Sequence, residues 1–153
     1  MATLTTVRAD LRLDLNDPSG ASERFADGDL DRAVERALLE FSQVWPYVQE
    51  STLSTVADSR DISLASLSGL WDVEAVEWAT GEYPRKWRRF EVSPDKQTLA
   101  LLVTSAPSAV ENALVRWASI QTINGLNGAV ATTVPEDQEE LLLLGAYGFA
   151  WSK

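Results

Sequence analysis

The sequence predicts an α+β fold, a small helical frame of about three helices with an inserted antiparallel β subdomain. Three observations predict it. Apolar residues recur at helical spacing from Thr5 to Trp45 and again from Pro135 to Trp151. Between Thr52 and Ile123 the apolar period shortens to about two, and Pro and Gly interrupt it repeatedly. A chain of 153 residues suits one domain, 1–153, which can bury roughly 70 % of its unfolded surface. The expected division is a frame over 1–48 and 133–153 with a β subdomain over about 50–123. So thin a frame buries its apolar stripes either on the β subdomain or against neighbouring copies.

Leu4, Val7, Leu11 and Leu15 lie at helical spacing with Arg8, Asp10, Arg12 and Asp14 between them, so the first helix is expected at about Thr5 to Leu15. Asn16, Asp17, Pro18, Ser19 and Gly20 end it in a surface loop. Asp27 is placed to cap a second helix, with Asp29 and Asp31 in the first turn where the helix dipole favours anions. Its apolar stripe is Leu30, Val34, Ala37, Leu38, Phe41 and Trp45, and Pro46 stops it.

From Thr52 the alternation reads as a hairpin, with Leu53 and Val56 inward before a turn at Ala57–Arg60 and Ile62 and Leu64 after it. Trp71 and Val73 alternate with acids, then the apolar set moves to Val76 and Trp78. One extra residue near Ala75, a β-bulge, accounts for that change of phase. Trp87, Phe90 and Val92 suggest one further strand. Thr98 to Val103 is almost continuously apolar, as in a strand covered on both faces, and Leu114 to Ile123 suggests the last strand. Asn124, Gly125, Asn127 and Gly128 signal a flexible connection.

Thr133 and Glu136 have capping-box spacing, with Pro135 in the first turn and Asp137, Glu139 and Glu140 close by. The helix that follows, Leu141 to Trp151, is apolar on nearly every side and should be buried by other helices. Gly145 and Gly148 lower its helix propensity by about 1 kcal/mol each relative to Ala, which makes sense where another backbone approaches closely. Packing on the first two helices and packing between subunits both satisfy that condition.

The composition excludes much chemistry. Cysteine and histidine are both absent, so thiolate nucleophiles, disulfides, Cys/His zinc sites and the usual general base are excluded. No apolar run approaches the roughly 18 residues of a membrane span, and no basic segment followed by an apolar run marks a secretory signal after Met1. Cytosolic synthesis, no membrane association and no cofactor are the expectations. Thirteen cations against 23 acids give a formal charge of -10, which repels polyanions.

Asp27, Gly28, Asp29, Leu30 and Asp31 imitate the start of a calcium loop, but Arg32 stands where that loop needs Gly and Leu38 where it needs Glu. Helix initiation is the better account. Pairs of carboxylates for hydrolysis cannot be told from solvated acids, and no phosphate loop, dinucleotide fingerprint or serine elbow is present. Arg85, Lys86, Trp87, Arg88 and Arg89 form the concentrated basic patch. It reads as a strand with solvated cations and Trp87 packed inward, as a contact for an acidic protein, or as a phosphate grip.

Leu4 to Leu15, the loop to Phe25, the segment DGDLDRAVERALLEFS from Asp27 to Ser42, the β-rich middle and the final VPEDQEELLLLGAYGFAWSK together resemble tailed-bacteriophage head-to-tail adaptor proteins of the portal adaptor family. The resemblance spans nearly the whole chain and rests on element order and two segments, with no single diagnostic motif.

It implies a structural virion protein and not an enzyme. Such proteins assemble in the host cytoplasm as a ring, usually twelve-membered, at the head–tail junction between portal protein and tail or neck proteins. DNA passes through the central channel without specific binding. The chain stops at Lys153, so a family-style C-terminal arm into the portal is not expected. Arg85, Lys86, Trp87, Arg88, Arg89, Trp71 and Trp78 are the candidate partner interface, and Gly145 and Gly148 the candidate helix-packing positions. A passive conduit needs no nucleophile, and a lumen lined by acidic or neutral side chains would keep DNA from sticking. Alternatives are a head-stopper or tail-completion protein, a carbohydrate-binding β module using Trp71 or Trp78, and a carboxylate hydrolase.

Overall fold

The computed structural model describes residues 2–20 and 22–152. It is an α+β structure with helices α1 (Leu4–Asp14), α2 (Asp27–Val44) and α3 (Glu139–Trp151) and seven strands. The strands are β1 (Tyr47–Ser54), β2 (Asp61–Ser63), β3 (Leu70–Glu77), β4 (Trp87–Arg88), β5 (Phe90–Val92), β6 (Thr98–Leu101) and β7 (Asn112–Ser119). Two compact units result, Met1–Tyr47 with Ile120–Lys153, and Val48–Ser119.

In the helical unit, Leu4, Val7 and Leu11 of α1 meet Val34, Ala37 and Leu38 of α2 and Leu142 and Ala146 of α3. The spacing of these positions, three or four residues apart, places each set on one helix face. Thr3 caps α1, its hydroxyl accepting from the Thr6 N–H at 3.3 Å. At the start of α2 the cap position is Ala26, not Asp27, and no side chain caps it. The acids there are drawn sideways by charge: Arg8 donates to Asp31 through Nε and Nη2, both at 2.6 Å, and to Asp27 at 3.2 Å.

Arg12, which lies between the apolar positions of α1, is buried. It gathers the α1–α2 loop. Its guanidinium donates to Asp17 Oδ2 at 3.2 Å, the Phe25 carbonyl at 3.0 Å and Asp27 Oδ1 at 2.8 Å. The buried Asp17 carboxylate in turn accepts the N–H groups of Arg24 at 2.6 Å and Phe25 at 2.9 Å. Those two donors, the Arg24 N–H foremost, and the charges of Arg12 and Arg24 hold the Asp17 carboxyl below its ordinary value against the opposing effect of burial.

The stripe expected on α2 is buried through Leu38, whereas Phe41 is half-buried and Trp45 exposed. Ser42 takes an inward place instead. Its hydroxyl donates to the Leu38 carbonyl at 2.6 Å and accepts the Gln121 N–H at 3.0 Å, while Gln121 Nε2 donates to the Trp45 carbonyl at 3.0 Å. The capping box at Thr133 does not form. Its hydroxyl accepts the Thr122 N–H at 2.8 Å, and a short 3-10 turn at Glu136–Gln138 precedes α3. The 124–128 connection is closed by hydrogen bonds, Gly125 N–H to the Ala129 carbonyl at 2.8 Å and Asn127 Nδ2 to Glu35 at 2.9 Å, with Asn127 at φ 51.

In the β unit one antiparallel sheet has the order β1-β7-β3-β4 and the other β2-β6-β5. Ile62, Leu99 and Leu101 from the smaller sheet and Val73, Val76, Val115 and Trp117 from the larger share one core. The bulge is real: the β3–β7 register shifts between Val73 and Ala75, so Val73 and Val76 both point inward.

Four strand expectations change. The turn after β1 exists, with Asp58 at φ 59, but it leads into the other sheet: β1 lies beside β7 and β2 pairs with β6, so no hairpin forms and Val56 is exposed. The strand read through Trp87 to Val92 divides at Arg89, its first part pairing with β3 and its second with β6. Thr98–Leu101 is covered on one face only, with Leu99 and Leu101 fully buried and Leu102 exposed, because a three-stranded sheet has one core face. The last strand ends at Ser119, and Ile120–Ile123 belongs to the helical unit.

Candidate interaction surfaces

The basic run of the β unit is held by acids that the sequence places far from it. Register sets Trp87 opposite Glu77 and Arg88 opposite Val76. Glu50 of β1 accepts from Arg116 Nη2 at 2.7 Å and Nε at 3.1 Å, and from Arg85 Nη1 at 3.4 Å. Arg85 Nε also lies 3.6 Å from the buried Glu77 carboxylate. Both guanidiniums stand over the Trp87 ring, Arg116 at 5.3 Å and Arg85 at 5.7 Å from its centroid. The hydrogen bond from Arg116, followed by its charge and that of Arg85, holds the Glu50 carboxyl below its ordinary value.

Lys86 is paired with Glu82. Arg88 Nε donates to the Trp78 carbonyl at 2.6 Å and its guanidinium covers the Trp78 ring at 5.5 Å, while Trp78 Nε1 donates to Glu111 at 3.0 Å. Trp87 is thus exposed between arginines and does not pack inward. Arg89 is exposed and has no ion pair among the described residues. Trp71 lies apart, at the other end of β3, its carbonyl accepting from Lys96. The participation of Glu50, Glu77 and Arg116 escaped the sequence reading, because strand register brings them to the run and local pattern does not encode it.

A second surface lies on the helical unit. Helix α3 buries Leu142, Ala146 and Ala150 but leaves Leu141 56 % and Leu144 67 % exposed, so it is not buried all round. Leu13 on α1 and Val44 and Trp45 at the end of α2 are exposed as well. At Gly145 an added Cβ would lie 3.4 Å from the Ala37 Cβ, so α2 makes the close approach there. At Gly148 it would meet nothing.

Two substitutions separate these glycines. Gly148→Ala is expected to raise the thermal stability of the isolated chain by about 0.5–1 kcal/mol through helix propensity. Gly145→Leu should lower it by about 1–3 kcal/mol through overpacking against Ala37. Equal responses in denaturant unfolding would contradict this placement.

Among the described residues no group of three or more acids is placed to hold a metal, and no helix is long and apolar enough to cross a membrane. No protein-family model and no curated protein matches the sequence. Among solved structures the chain is similar to one described as the neck of an empty GTA particle computed with C6 symmetry. The two share 13 % identity at a TM-score of 0.37, over 97 % of this chain and 77 % of that one.

Proposed function

We propose that this chain is a structural neck protein of a phage-like virion, a head-to-tail adaptor that forms an oligomeric ring between portal and tail and leaves a channel for DNA. The observation that carries the reading is the uncovered apolar surface of the helical unit, where Leu13, Val44, Trp45, Leu141 and Leu144 stand exposed on a fold of this size. Val44 and Trp45 at the end of α2 line one groove with Leu141 of α3, and exposed apolar groups that adjoin in this way mark a place where another protein sits. The resemblance in element order to portal adaptors supplies the identity of that assembly, and the chain makes or breaks no covalent bond in it.

The charge supports passive conduction. At -10 the chain repels phosphates, and Arg85, Lys86 and Arg116 are already occupied by Glu50, Glu77 and Glu82. Purified protein is therefore expected to leave the fluorescence anisotropy of duplex DNA unchanged at physiological salt, and salt-sensitive binding there would count against a passive channel. The decisive experiment is native mass measurement of the chain alone and mixed with portal protein. One stoichiometric ring in the mixture supports the adaptor role, and a chain that remains a single copy in both overturns it.

A further inference from the structure

The helical unit carries two clusters of opposite, unpaired charge, each beside uncovered apolar surface. Resting on the ring reading, we propose that they are the two halves of one contact between copies of this chain. The acidic groove between α1 and α3 of one copy receives the arginine edge formed by the loop before α2, α2 itself and the end of α3 of the next.

The groove has a volume of about 410 Å³ and is lined by Asp14, Glu140, Leu143, Leu144 and Tyr147. Neither Asp14 nor Glu140 has an ion pair among the described residues. The edge consists of Arg24, Arg32 and Arg36. The Arg24 guanidinium lies 4.9 Å from the Trp151 ring centroid and 5.6 Å from that of Phe25, and Arg36 lies 4.8 Å from that of Phe149. None of the three has an ion pair among the described residues.

Stacking holds a guanidinium by its face and leaves its N–H edges free, the geometry that grips a carboxylate in two-pronged fashion. Exposed Trp151 and half-buried Phe149 give the edge an apolar component to match Leu144 and Tyr147. Both halves reside on every copy, so the occupant that satisfies them together is a second copy. When each copy gives its edge to one neighbour and its groove to another, the contact is head-to-tail, and such contacts generate rings when the rotation closes. Copies of net charge -10 repel at long range, so this local pairing sets the orientation in which they meet.

Charge reversal tests the contact by sedimentation and native mass measurement at low salt. The edge variant Arg32→Glu/Arg36→Glu and the groove variant Asp14→Arg/Glu140→Arg should each self-associate about tenfold or more weakly than the parent. An equimolar mixture of the two, and the chain carrying all four changes, should regain most of the loss. Arg32→Glu alone, which disturbs no stacked ring, should give a smaller loss in the same direction and serves if the double variant fails to fold.

Variants that associate like the parent, a mixture that regains nothing, or a parent that stays monomeric at about 0.1 mM would overturn the contact. Parent rings that survive both reversals refute the contact and leave the adaptor reading standing. Reversals that act as described on closed pairs, with no ring, refute that reading and keep the contact.

Discussion

Trp117→Ala is expected to be the most damaging single substitution in the β unit, costing about 3–5 kcal/mol. Trp117 is 5 % exposed, sits opposite Val73 across the bulged register and fills the core shared by the two sheets. Truncation removes the transfer free energy of the ring and leaves a cavity that strands on both sides cannot close without breaking their ladders. Its Nε1 also donates to Ser51 Oγ at 3.0 Å, a bond reaching from β7 to β1. Trp117→Phe should therefore cost less, about 1–2 kcal/mol, by keeping most of the volume and losing the hydrogen bond. Urea midpoints compared at equal slope measure both. An Ala variant within about 1 kcal/mol of the parent would place the core elsewhere.

Arg12→Leu is expected to be the most damaging change in the helical unit's polar framework, with a loss comparable to truncating a core side chain. Leucine fills part of the volume, but Asp17 remains buried without its cation, and the Phe25 carbonyl loses its donor. The effect should depend on pH. The carboxyls of Asp17 and Asp27 lie below their ordinary values in the folded chain, Asp27 chiefly through the hydrogen bond from Arg12. Such groups contribute stability that is complete above their unfolded pKa, near 3.9, and is lost as pH falls through the folded value. The gap between parent and variant should accordingly be widest at neutral pH and shrink below about pH 4. Thermal melts across that range measure it, and a gap of constant size would contradict the ion-pair account.

Arg12 also shows where local pattern misleads. Its position between apolar residues on α1 gives no sign of burial, yet the loop folds back to supply Asp17, Asp27 and the Phe25 carbonyl. Asp27 was legible as a helix-start acid but not as the partner of two arginines. The β-bulge was legible because a phase change in alternation has few other causes. The hairpin after β1 was misread because a turn shows that the chain reverses without showing which sheet receives it. For the basic run at 85–89 the cations were legible and their neutralisation was not, since Glu50 and Arg116 arrive from distant strands.

The sequence by itself determined the class of the fold, the three helices, the bulge at Ala75 and the exclusion of thiol and imidazole chemistry. These follow from periodicity and residue type, which act over a few neighbours along the chain. Only the tertiary structure decided which charges are spent within the fold, which face of α3 stays bare, and that Gly145 is approached by α2 while Gly148 is not. Those outcomes depend on strand register and helix packing between segments separated by tens of residues, and free energy of that kind is set by the whole arrangement, not by any one stretch of it.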